Sequence, residues 1–115
     1  MRRGHWILDE NRIPRQVDLY TWAKWLGEGD RIVRQEWIGN IWISTVFLGI
    51  DHNFSNTGPP ILWETMMFSN RKNVDQNYQT RCAGSWEQAE AMHETAVREA
   101  CKIEQINYQP LEQRQ

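Results

Sequence analysis

The chain has 115 residues, a formal net charge of -2 and a charged fraction of 24%. That length makes one domain with a real core, small enough to gain from assembly. The charge balance excludes a basic surface for wholesale DNA or RNA binding.

In chain order, residues 5–9 read as a short strand, and the turn Asp9-Glu10-Asn11 leads into residues 12–17. Pro14 makes this second segment an edge or irregular strand, because it has no N–H for a ladder. Asp18 is a good N-cap for a helix in which Leu19, Trp22, Ala23 and Leu26 recur at helical spacing, and Gly27 supplies the stop. Trp25 lies off that stripe, where a partner could reach it. Residues 31–37 form a strand that the Gly39-Asn40 turn signal folds back onto residues 42–50. Residues 61–68 are the next strand, reached through a loop holding Gly58, Pro59 and Pro60. Residues 69–77 read as a polar surface loop and 78–82 as a short segment. Ser85 with Gln88 forms a capping box that opens a helix from 86 to about 103. The polar tail, about 104–115, is expected to fray. The sum is a single α+β domain over 1–115: a twisted antiparallel sheet with two helices packed mainly on one face.

Ten of the thirteen cations are Arg, whose flat fork of donors suits phosphates and carboxylates. Seven Trp and three Tyr supply rings that fill cores and also suit interfaces and flat ligands. Cys82 and Cys101 are too few for a disulfide framework and have no metal-ligand spacing. The basic start "MRRGHWILDE" lacks the apolar core of a signal peptide, and no apolar run is long enough to span a bilayer. These features point to a cytosolic protein with free thiols and no membrane partner.

In the strand 61–68, Leu62, Glu64, Met66 and Phe68 share one face; Ile61, Trp63, Thr65 and Met67 share the other. Both faces are mostly apolar, so the strand is expected to be central, covered on each side, with Glu64 at least partly buried. A buried carboxylate needs a partner. That is either a salt bridge to Arg31 or Arg34 on a neighbouring strand, or a ligand hydroxyl or amino group beside Met66. Asp51, His52, Asn53 and Phe54 directly follow a strand end, where loops tend to carry function. Their plainer account is a turn whose side chains bond its own backbone. On the last helix Trp86, Ala89, His93, Ala96, Val97 and Ala100 share a stripe, so His93 interrupts an apolar face as a satisfied core residue or a ligand contact. Arg98 and Lys102, one turn apart, are a solvated edge or a cationic clamp for phosphate. His52 stands beside Asp51, but neighbours on extended chain point opposite ways. No nucleophile motif, glycine-rich phosphate loop or metal set appears, so a binding protein without a cofactor fits better than an enzyme.

The runs "STVFLGIDHNF", "GPP", "ILWETMMF" and "SWEQAEAMHE" resemble a block in a family of small phage and prophage proteins, over roughly residues 31–98. There a strand ending in STVFLG-DH-F is followed by GPP-LFETM-F and later by a Y-ST-EEA--GH helix. The block also resembles that of phage anti-Thoeris signal-sequestering proteins of the first-described type. The resemblance implies a counter-defence protein in the host bacterial cytoplasm that binds the cyclic ADP-ribose isomer made by a TIR-domain immune enzyme without degrading it. It further implies homodimers that assemble into higher homo-oligomers, and separate sites for cyclic di- or trinucleotides in some members. Trp63 stands where the pattern has Phe, "QTRCAGSWEQ" is longer than the usual run, and Met92 replaces the glycine before His93. These departures bear on the ligand more than on the fold.

A cyclic ADP-ribose ligand needs Arg forks for its pyrophosphate, a flat ring for its base and acceptors for its hydroxyls. The chain offers Arg98 or Arg34, Phe54 or Trp86, and Glu64, Asp51 and Asn53. Two other readings stay open: a phage inhibitor that binds a host defence protein through its Trp-rich surface, and an enzyme that degrades a nucleotide signal through His52 and His93.

Overall fold

The computed structural model describes residues 4–55, 57–69 and 78–114. The elements are β1 (His5–Leu8), β2 (Pro14–Val17), α1 (Leu19–Glu28), β3 (Ile32–Ile38), β4 (Ile41–Phe47), β5 (Ile61–Phe68), β6 (Gln79–Ala83) and α2 (Trp86–Glu104). The fold is α+β. Its strands divide between a four-stranded antiparallel sheet, ordered β3-β4-β5-β6, and the β1-β2 hairpin. The hairpin joins the larger sheet through a bridge between His5 and Ile50 and a bond from Trp6 N–H to the Gly49 carbonyl at 2.8 Å.

Local chemistry sets these elements. Asp18 caps α1 by accepting the Thr21 N–H at 2.7 Å. The helix runs through Gly27 and ends at Glu28, so the glycine at the cap is Gly29 rather than the predicted Gly27. Gly39 takes a left-handed φ of 57° between β3 and β4, the first-position glycine that matches a two-residue turn to strand twist. The Ser85–Gln88 capping box opens α2 as expected.

Helix α2 lies across one face of the sheet. Ile41, Ile43 and Met67 meet Ala96, Val97, Ala100 and Cys101 in one cluster, while Phe47, Leu62 and Trp63 meet Trp86, Ala89 and Leu8 in a second. Each large side chain buried there contributes about 1.5–3 kcal/mol. The inward face of α1 keeps Trp22 and Leu26 of its predicted stripe, both half-buried, but not Leu19 or Ala23. Leu19 is 60% exposed, whereas Trp25, expected to be free for a partner, packs edge-to-face on Phe47 with ring centroids 5.8 Å apart. Which face of α1 turns inward depends on where the hairpin places β1, and spacing does not carry that. Trp22 packs over Gly49, where a Cβ would approach its indole nitrogen to 3.0 Å.

Strand β5 is central, but its two faces are unequal. Trp63, Thr65 and Met67 face α2 and are buried. On the other face Phe68 is 46% exposed and lies in register with Trp42, itself opposite Trp37. Among the described residues, no helix covers that side. Up to Arg114 the tail does not fray. Tyr108 packs on the core, a 3-10 turn spans Leu111–Gln113, and Arg114 is nearly buried. The polar loop expected at 69–77 falls, beyond Ser69, outside the described residues. Cys82 and Cys101 are free thiols, and burial raises the pKa of each. No described helix is long and apolar enough to cross a membrane.

Candidate functional site

The sequence-derived candidates do not converge. Glu64 faces away from α2 and is nearly buried, but neither Arg31 nor Arg34 is its partner. Its carboxylate accepts from Arg81 Nε at 2.7 Å and Gln79 Nε2 at 2.8 Å, both on β6. Met66, beside it, is half-buried. Arg34 instead reaches Glu90 of α2 at 3.3 Å. The Arg98 guanidinium lies 4.6 Å over the Tyr108 ring, and Lys102 is exposed in the last turn of α2. Both side chains are exposed, as the solvated-edge reading expects, and Arg98 is also laid on an aromatic face.

The loop after β4 follows the plainer account. Asp51 is 3% exposed and accepts the backbone N–H groups of Asn53 at 2.7 Å and Ile61 at 2.9 Å. Asn53 spans the loop by donating to the carbonyls of Thr57 and Pro59. His52 donates from Nδ1 to the Ile50 carbonyl at 2.8 Å, and its ring lies 5.8 Å from the exposed Phe54 ring. Asp51→Ala is expected to strand two part-buried donors and cost about 1–2 kcal/mol. Urea denaturation checks this, and an unchanged midpoint would mean the loop holds itself without the carboxylate.

His93 sits inside a buried polar chain. Its Nδ1 is 2.6 Å from Thr45 Oγ1, which is 2.6 Å from Thr65 Oγ1, and its Nε2 is 2.7 Å from Glu36 Oε2. Glu36 accepts two donors from Arg114, which also binds Glu94, and Glu94 accepts from the Tyr108 hydroxyl at 2.6 Å. Burial pushes Glu36 up, yet Arg114 and then His93 outweigh it and hold the carboxyl below its usual range. Arg114 likewise lowers Glu94. Burial lowers His93 against the pull of Glu36, so the neutral ring donates from Nε2 to Glu36 and accepts the Thr45 hydroxyl. Hydroxyl, imidazole and carboxylate stand in the order of a hydrolase triad. Thr45, Thr65 and His93 are all 0% exposed, so no substrate reaches this hydroxyl in the folded chain.

A cavity of about 360 Å³ opens between the hairpin and the sheet, lined by Leu8, Asp9, Arg12, Trp25, Asp30, Ile32, Val33 and Trp86. Arg12 has left-handed backbone, φ 63°, and its guanidinium lies 4.2 Å over the Trp86 ring. Trp86 is buried, and its indole N–H has no acceptor among the described residues. Thus Trp86, expected as a stacking platform, already carries an arginine on its face. Sequence reasoning missed Arg12 and Asp30, since nothing local distinguishes them from ordinary surface charges. Among the described residues no group of three or more His, Cys, Asp or Glu is placed to hold a metal. No family model, curated protein or solved structure matches the chain.

Proposed function

We propose that the chain is a phage counter-defence protein that binds and sequesters a cyclic nucleotide immune signal, favouring a cyclic ADP-ribose isomer, in the host bacterial cytoplasm and as a homo-oligomer. The observation that carries this reading is the assembly of the resembling blocks into one unit: β4 lies beside β5 and α2 crosses both. Within that unit the histidine is sealed and the Asp51–Asn53 loop is tied to itself, which favours binding over cleavage. The aromatic row Trp37, Trp42 and Phe68, exposed at both ends, has the composition of an association surface, and the reading gives it to a second copy of the chain. That same row supports the second reading, an inhibitor that binds a host defence protein directly.

The test mixes purified protein with cyclic ADP-ribose isomers and with cyclic di- and trinucleotides and follows thermal unfolding. A ligand at a thousandfold over its Kd adds about 4 kcal/mol, which raises the Tm by roughly 10 °C or more in a domain of this size. Sequestration expects that shift and an intact ligand recovered after heat denaturation. A shortened product would establish cleavage instead. No shift with any nucleotide, together with one host protein co-purifying, would replace sequestration by direct inhibition.

A further inference from the structure

The cavity at Arg12 has a definite chemical character. Asp9 is occupied: it accepts from Asn11 N–H, Ile13 N–H and Arg15 Nε, and its charge is matched by Arg15 at 2.9 Å. Asp30 spends one oxygen on the Ile32 N–H at 3.1 Å and is otherwise exposed. Arg12 is held over Trp86, yet no described carboxylate lies within ion-pair distance of it. Among the described residues, the cavity therefore presents one guanidinium with its donors uncommitted and one carboxylate with acceptor capacity left. Its remaining wall is Trp25 with Leu8, Ile32 and Val33.

We propose that this cavity holds one nucleoside-phosphate unit of the sequestered ligand, with Arg12 taking the phosphate, Asp30 accepting from ribose hydroxyls and the base lying against Trp25 and the aliphatic wall. The assignment rests on the sequestration reading and gives it a place. A planar fork of donors matches the oxygens of a phosphate, and fixing it on an indole removes part of the entropy cost of binding. Carboxylates that accept from ribose hydroxyls are the usual complement to such an anchor. The volume of 360 Å³ is near the lower end of ligand pockets, about 300–1,000 Å³. It suits one base, sugar and phosphate, so the second half of a dinucleotide-type ligand extends out of the cavity.

The experiment is calorimetric titration of the full chain with cyclic ADP-ribose isomers, alone and in competition with 5′-AMP, in wild type, Arg12→Gln and Asp30→Asn. The side-chain amide introduced by Asp30→Asn keeps an oxygen to accept the Ile32 N–H, and Arg12 is exposed, so melting temperatures verify that both variants stay folded. Each variant is expected to weaken binding about tenfold or more, and 5′-AMP is expected to compete. Tight wild-type binding that neither variant weakens, or that 5′-AMP does not contest, would overturn the cavity assignment while leaving sequestration standing. No wild-type binding of these nucleotides would remove both.

Discussion

Arg114→Ala is expected to lower the stability of the folded chain by about 3 kcal/mol. Its guanidinium, 9% exposed, sits between Glu36 and Glu94, which are 18% and 23% exposed. Removing it leaves two largely desolvated carboxylates, Glu36 on β3 and Glu94 midway along α2, without their shared cation. Breaking a buried pair by deleting one partner costs about 3–5 kcal/mol, and the residual exposure of these carboxylates favours the low end. Equilibrium urea unfolding followed by Trp fluorescence measures it. A loss under about 1 kcal/mol would mean that the tail contact is a surface pair of ordinary weakness.

The same site predicts how the deficit varies with pH. His93 is lowered in the folded state, so it adds nothing above its ordinary value of about 6.5. Below that pH the unfolded chain gains a proton that the folded chain refuses, and wild-type stability falls. The lowered Glu36 and Glu94 stabilise above about pH 4.3 and lose that contribution as pH falls through their folded values. Without Arg114, Glu36 turns its full charge on His93 and raises the ring's pKa, so the variant takes up a proton when folded. The gap between variant and wild type should therefore narrow from pH 7.5 to 5.5. A constant gap would show that His93 and Glu36 are not electrically coupled.

His93→Ala is expected to cost more, about 4 kcal/mol. It opens a cavity between sheet and helix and takes one buried partner each from the Thr45 hydroxyl, which keeps Thr65, and the Glu36 carboxylate, which keeps Arg114. His93→Gln restores part of the bonding and should lose about half as much. If His93 served nucleotide cleavage rather than packing, both variants would keep wild-type midpoints and lose turnover of the ligand.

Much of the fold is legible because its signals are local. Asp18, the Ser85–Gln88 pair and the Gly39 turn each act within a few residues, and the bounds of β5 follow from its flanking breakers. The burial of Glu64 is also readable, but its partner is not, because Arg81 and Gln79 become neighbours only once β6 takes the edge beside β5. Glu36 pairs with His93 across 57 positions and with Arg114 across 78, and no periodicity links such residues. The tail reads as polar and disordered by composition. It is ordered by one guanidinium that finds two carboxylates brought together by the fold.

The turn between β1 and β2 has its own consequence. A side chain at a φ of 63° crowds the following carbonyl, at a cost of about 1–2 kcal/mol that glycine escapes. A turn shaped only for ease of closure would hold glycine at position 12. The chain instead keeps there the longest cationic side chain available and lays it on an indole. If Arg12 takes the ligand phosphate as proposed, thermostability and capture pull this position in opposite directions: a screen for hardier variants would drift toward glycine, and a screen for capture would keep the arginine.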